Sequence, residues 1–255
     1  MENTDNESYG LEHVHQILLQ AALKFDEVCR RNGISYALHG GTLLGAERNN
    51  KFIPWDDDFD VSMTRSEYQK LQNVAKYFPD GYELDEKTMW FPRLVLRTEN
   101  DLAYIDILVW DYISSNKIMQ KIKITVLRFF QGMLKTHIEY KRFNIIYKFL
   151  LFVTHLLGKL LSQNIKIKIF NYICKNAFTG DKKFIHRSND AYVGVSYIFD
   201  SSYMDEYCDI KFENHLFMVN KRYHEFLERN YGLDYLTPPP KKDRIPEHEK
   251  FRKDL

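Results

Sequence analysis

The chain has 255 residues, of which 44% are hydrophobic, 15% aromatic and 28% charged. That length suits one sizeable core with an insertion and would crowd two independent domains, and the composition excludes a disordered chain. The net charge of +1 conceals an asymmetry: residues 116–187 hold fifteen Lys or Arg against Glu139 and Asp181, a balance of +13 that leaves −12 for the rest.

The polar, acidic start MENTDNESYGLEHVHQ lacks the basic and apolar regions of a secretory signal. Cys29, Cys174 and Cys208 are far apart and without CxxC spacing, which argues against a disulfide framework or a zinc site and for a reducing compartment. A cytoplasmic location is expected. Residues 11–31 carry apolar side chains at Leu11, Val14, Ile17, Leu18, Ala21, Ala22, Phe25 and Val28, a helical period that Gly33 stops. ISYALHGG then reads as a short strand running into a diglycine turn, with TLLGAER as a brief helix behind it. Residues 58–63 alternate acidic and apolar side chains, the pattern of a second strand. A helix over 66–78 is broken by Pro79-Asp80-Gly81. Residues 93–98 and 103–112 form a candidate strand pair about the turn-prone Glu99-Asn100-Asp101.

From 117 to 178 the composition shifts to Ile, Leu, Phe and Lys with few breakers, which predicts two to four amphipathic helices. Their most apolar stretch, FLLFVTHLLGKLL at 149–161, is shorter than the roughly 20 apolar residues that cross a bilayer. It fits a helix lying at a membrane interface, or else a helical subdomain packed on the core. Such a basic insert is drawn to anionic lipid, phosphorylated substrates or nucleic acid. Nucleic acid is set aside, because the lysines alternate with long aliphatic residues and no recognition motif accompanies them. The end of the chain reads as a strand, a turn and a helix stopped near Gly232, followed by a proline-rich charged tail. The organisation expected is a catalytic core over 1–115, a basic helical insert over 116–187 and a C-terminal part over 188–255 that completes the core.

Three features carry chemistry: Gly40-Gly41, the run Asp56-Asp57-Asp58-Phe59-Asp60, and Asp106 within AYIDILVWD. Alternation in a strand sends Asp58 and Asp60 to one side while Phe59 and Val61 enter the core. Asp106 stands between two isoleucines, where a charge is costly unless it faces a site or a cation. Three converging carboxylates would hold Mg²⁺ or Mn²⁺ and bridge substrate phosphates, and the glycines would let backbone approach a phosphate. The bland reading of the acidic run is a solvated loop. A calcium loop matches the spacing of Asp56, Asp58, Asp60 and Glu67, but Val61 stands where that loop needs glycine.

HGGTLLGAERNNKFIPWDDDFDVSM resembles the signature of the LicD family, which includes bacterial phosphocholine transferases and is similar to the catalytic domains of fukutin and fukutin-related protein. FENHLFMVNKRYHEFLERNYGLDYLTPPPKKDRIPEH resembles that family's ending, and with YIDILVWD the resemblance spans about residues 11–113 and 208–248. It implies an α+β nucleotidyltransferase fold, a mixed sheet flanked by helices, with Asp58, Asp60 and Asp106 as catalytic residues holding Mg²⁺ or Mn²⁺. Asp106 would also serve as general base. Gly40, Gly41, Thr42, Arg48, Asp56, Arg93 and Arg97 are candidate substrate contacts, with Glu213, Arg244 and His248 suggested by position alone and His39 read as a satisfied strand histidine. The reaction implied moves phosphocholine, or a related alcohol phosphate, from CDP-choline or a similar CDP-alcohol to a glycan or lipid-linked oligosaccharide, releasing CMP. Peripheral contact with the inner face of the cell membrane through 116–187 would suit a lipid-linked acceptor. The chain departs from the family in Asp106-Ile-Leu-Val-Trp-Asp111, where many members read Asp-Ile-Phe-Pro-Leu-Asp, and in Asn50-Lys51, where many carry Gly; both changes bear on specificity. Competing readings are a nucleotide-sugar glycosyltransferase using Asp58 and Asp60, nucleotidyl transfer to a small molecule, and a non-enzymatic membrane-associated scaffold.

Overall fold

The apolar period of residues 11–31 becomes helix α1 (Glu12–Arg31), which buries Leu18, Ala21, Ala22, Phe25, Val28 and Cys29 along one face. In the computed structural model, which describes residues 9–135 and 145–246 with the side chains of 145–150 left aside, α1 belongs to the first of two units. That unit comprises residues 1–85, 93–107 and 203–255; the second comprises 86–92 and 108–202.

The first unit is built on a sheet. Strand β1 (Ala37–Leu38) pairs antiparallel with β2 (Phe59–Thr64), in the register Leu38↔Val61. Between them lies α2 (Gly40–Asn49), and after β2 comes α3 (Arg65–Val74). Thr64 caps α3 by accepting from the Glu67 amide, one limb of a Thr-x-x-Glu start that moves the helix slightly upstream of the predicted 66. Strands β3 (Tyr82–Asp85), β4 (Arg93–Arg97) and β5 (Leu102–Ile113) complete the order β1-β2-β5-β4-β3. The expected pair over 93–98 and 103–112 is present, antiparallel, with Arg93 opposite Asp106. The α+β reading holds.

The chain's end adds a hairpin, β8 (Tyr207–Phe212) with β9 (His215–Asn220), then α7 (Tyr223–Tyr231), which Gly232 ends at φ 92°. The hairpin corrects the single strand expected there. Its two-residue turn, Glu213-Asn214, takes φ of 47° and 64°, the left-handed pair that a tight hairpin needs and that Asn-Gly would have signalled. Phe59, fully buried, meets Phe52, Phe212 and Phe217 at ring-centroid distances of 5.8–6.1 Å, so hairpin and β2 share one aromatic core.

In the second unit the end of β5 pairs antiparallel with β6 (Phe184–Arg187), and β6 with β7 (Ile198–Asp200). These two short strands were not legible in the sequence. Helices α4 (Lys117–Leu134), α5 (Ile145–Gly158) and α6 (Gln163–Asn176) match the two to four expected from composition. Asn116 and Ser162 cap α4 and α6 with side-chain oxygens. Leu127, Leu134, Ile167, Phe170 and Cys174 form a core against which Trp90 packs. Two lysines of the basic stretch turn inward: Lys123 Nζ donates to the Tyr112 and Cys174 carbonyls at 2.7 and 2.8 Å, and Lys166 Nζ to the Met133 carbonyl at 3.0 Å. Among the described residues no helix is long and apolar enough to cross a membrane.

Candidate active site

Sequence order alone makes Gly40-Gly41 look like a turn; in the structure the pair opens α2, with His39 as its extended N-cap. The cause is a close approach. A Cβ on Gly40 would lie 2.2 Å from Asp60 Oδ2, and one on Gly41 would lie 2.1 Å from Asp56 Oδ2. Gly40 also takes φ 53°, a region costly for any L side chain. The carboxylates of Asp56 and Asp60 thus rest against the first turn of α2, whose unsatisfied amides and dipole favour negative charge.

Local ties hold this arrangement. The His39 amide donates to the Asp60 carbonyl at 3.0 Å, and the Asp60 amide donates to Thr42 Oγ1 at 2.9 Å. Thr42 is therefore buried and spends its hydroxyl on the strand that carries Asp60. His39 is buried too, its ring 4.3 Å from that of Phe226, in keeping with a packing role. Upstream, His15 of α1 stacks on Phe52 at 4.4 Å, and its Nε2 lies 2.7 Å from the Asp56 carbonyl. His15 was missed in the sequence because its partner is 41 residues away. Phe59, locked in the aromatic core, opens β2, and Asp58 and Asp60 flank it, both half-buried, while Asp57 is buried.

Asp106 lies on β5, which neighbours β2 in the sheet. Arg93, directly opposite on β4, forms an ion pair with it: Nη2 donates to Oδ2 at 3.2 Å, and Nε lies 2.7 Å from Oδ1 without the alignment of a hydrogen bond. Arg93 also lies 4.9 Å over the Tyr104 ring. A carboxylate this buried requires such a partner. Carboxylates such as Asp58 and Asp60 offer only oxygen donors, the kind that a hard divalent cation takes. Asp106, however, is engaged by Arg93, and among the described residues no three His, Cys, Asp or Glu side chains form a metal-holding group.

Arg48, at the end of α2, donates from Nη2 to the Tyr235 carbonyl at 2.5 Å, and among the described residues its buried Nε has no hydrogen-bond partner. Burial, with a smaller push from Arg244, lowers its pKa. Arg244 in turn lies 5.1 Å over Trp55, directly before the acidic run, so a second guanidinium attends this corner. Glu213 accepts from the Phe52 amide at 3.1 Å and ties the hairpin to the acidic run's lead-in. Arg97 stands apart: exposed and four residues from Arg93, it lines a separate cleft with His13 and Asp101. His248 falls outside the described residues.

Residues 33–140 match the family model described as LicD/FKTN/FKRP, nucleotidyltransferase domain. The lipopolysaccharide cholinephosphotransferase LicD of Haemophilus influenzae (strain ATCC 51907 / DSM 11121 / KW20 / Rd) is 30% identical over 249 residues, covering 88% of this chain and 90% of that protein. An uncharacterized protein of Rickettsia prowazekii (strain Madrid E) is 30% identical over 94 residues, 33% of this chain and 35% of that protein. Similarity along nearly the whole length of a relative, joined to a family signature over the glycine pair and the acidic run, means that this chain belongs to the LicD family.

Proposed function

We propose that the chain transfers phosphocholine, or a related alcohol phosphate such as phosphoglycerol or phosphoribitol, from its CDP conjugate to a hydroxyl of a cell-surface glycan or its lipid-linked precursor, with release of CMP. The observation that supports the reading is that Asp60 stands on β2, with Asp58 directly before that strand, beside β5, which bears Asp106. The near-full-length similarity to a lipopolysaccharide cholinephosphotransferase supports phosphocholine as the group moved.

In this reading the acceptor oxygen attacks the phosphorus that bears the alcohol; a P–O bond forms, the bond to the bridging diphosphate oxygen breaks, and CMP leaves. Mg²⁺ or Mn²⁺ held by Asp58, Asp60 and Asp106 would supply charge neutralisation at the transferred phosphoryl group. Arg93 and Arg48 present guanidinium groups whose fork geometry matches phosphate oxygens. Movement of Arg93 onto the donor's phosphate would free Asp106 to act as a ligand and to accept the proton of the acceptor hydroxyl. The Asp56 carboxylate, against Gly41, fixes the approach to the first turn of α2. The same reading keeps the enzyme in the cytoplasm, peripheral to the inner face of the membrane.

The deciding experiment measures CMP release from CDP-choline, CDP-glycerol and CDP-ribitol with Mg²⁺ or Mn²⁺ and a pooled glycan acceptor. Metal-dependent release is expected from the wild type. Asp58→Ala with Asp60→Ala should lower it roughly a hundredfold or more, the equivalent of the several kcal/mol that a Lewis-acid cation contributes. Transfer of sugar without phosphorus, or retention of the nucleotide on the product, would overturn the assignment in favour of a glycosyltransferase or a nucleotidyltransferase.

A further inference from the structure

Strand β2 begins at Phe59, so Asp56, Asp57 and Asp58 stand before it and depend on ties outside the strand for their placement. Asp56 is fixed at three points. Its amide donates to the Ile53 carbonyl at 2.9 Å. Its carboxylate rests against Gly41, where an added Cβ would lie 2.1 Å from Oδ2. Its carbonyl, two residues before Asp58, lies 2.7 Å from Nε2 of His15 on α1. A carbonyl can only accept, so Nε2 carries the hydrogen and donates it.

The imidazole that makes this bond is itself held in place. His15 is half-buried, and its ring stacks on Phe52 with centroids 4.4 Å apart and planes at 3°. Phe52 packs edge-on against Phe59 and Phe212 at 6.1 and 4.8 Å, and its amide donates to Glu213 Oε1 at 3.1 Å. Just before α1, Tyr9 meets Trp55 at 5.8 Å, so the chain about α1 touches the lead-in to the acidic run twice. Any flat ring could fill the stack on Phe52. Reaching the Asp56 carbonyl requires in addition a side-chain N–H at the ring's far edge, and histidine supplies both.

We propose that His15 is a positioning residue for the candidate metal site: by holding the Asp56 carbonyl from α1, it sets the backbone that leads into Asp58 and Asp60. It acts through Asp56 and not on the reacting atoms. Groups that fix a metal's ligands from behind govern affinity because a misplaced ligand must be reordered at the moment of binding. The consequence for metal rests on the reading of Asp58 and Asp60 as its ligands; the hold on the backbone does not.

Two substitutions in the full chain separate the donor from the ring. His15→Phe keeps the stack on Phe52 and removes the N–H, whereas His15→Gln keeps a side-chain N–H of similar reach and removes the ring. The readouts are Mn²⁺ binding, followed by the electron paramagnetic resonance of the free ion, and hydrogen exchange of the amides across 53–60. His15→Phe should weaken Mn²⁺ binding about tenfold and speed exchange across 53–60 while the melting temperature stays near that of the wild type. His15→Gln should restore most of both. Should His15→Phe melt early, His15→Leu, which also lacks a donor, takes its place. A folded His15→Phe that binds Mn²⁺ and exchanges like the wild type overturns the proposal, and so does a His15→Gln as impaired as His15→Phe. Wild-type protein that binds no Mn²⁺, with or without CDP-choline, counts instead against the metal reading. Exchange across 53–60 then judges the His15 tie by itself, and rates unchanged in His15→Phe overturn it.

Discussion

One methyl group probes the start of α2. Gly41→Ala would bring a Cβ against the Asp56 carboxylate, and such overpacking should cost about 1–3 kcal/mol in urea unfolding. Because the obstacle is a side chain, the double variant Gly41→Ala, Asp56→Ala should recover most of that loss, whereas two independent sites would simply add. Arg93 offers a second residue-scale test. Arg93→Met leaves Asp106 buried without its guanidinium and should destabilise the fold by about 3 kcal/mol, with Asp106→Asn in the same chain restoring much of it. The sequence singled out Gly41, Asp56, Arg93 and Asp106 as candidates, because each stands in or beside a short motif. The grip of Arg93 on Asp106 was not legible, since it depends on the register between β4 and β5.

At the scale of elements, β6 carries a titration that the rest of the unit enforces. His186 is wholly buried on it, facing Asp111 across the strand pair, with Nδ1 2.9 Å from the Val195 carbonyl. Burial, reinforced by Lys123, pushes its pKa from the ordinary 6.5 down to about 3. Between those values the unfolded chain binds a proton that the native state refuses, so stability should be fully present above pH 6.5 and fall as the pH drops towards 3, by about 1.4 kcal/mol per pH unit from this group. Chemical denaturation from pH 7 to 4 should show that slope in the wild type and a shallower one in His186→Gln. A smaller core alone would shift every point equally and leave the slope unchanged. This strand was not legible beforehand: four residues bounded by irregular chain are too short for a hydrophobic period to register.

Ligand linkage reports on the whole molecule. If the carboxylates hold a divalent ion with a CDP-alcohol, Mg²⁺ or Mn²⁺ plus CDP-choline at about a hundred times the dissociation constant should stabilise the native state by about 2.7 kcal/mol. Differential scanning fluorimetry should show the rise in Tm with the wild type and not with the Asp58→Ala, Asp60→Ala variant. At this scale the division between sequence and structure is clear. Sequence by itself determined the amphipathic helices, the β4–β5 pair, the carboxylates flanking Phe59 and the family, because helical and strand periods and a contiguous motif are local properties of the chain. Only the tertiary structure decided that Gly40 and Gly41 open a helix beneath two carboxylates, that Thr42 serves the strand, that Arg93 holds Asp106, and that Lys123 and Lys166 turn inward while their neighbours stay in water. Each of those outcomes depends on which distant segments share a core and in what register, and no short-range period records that choice.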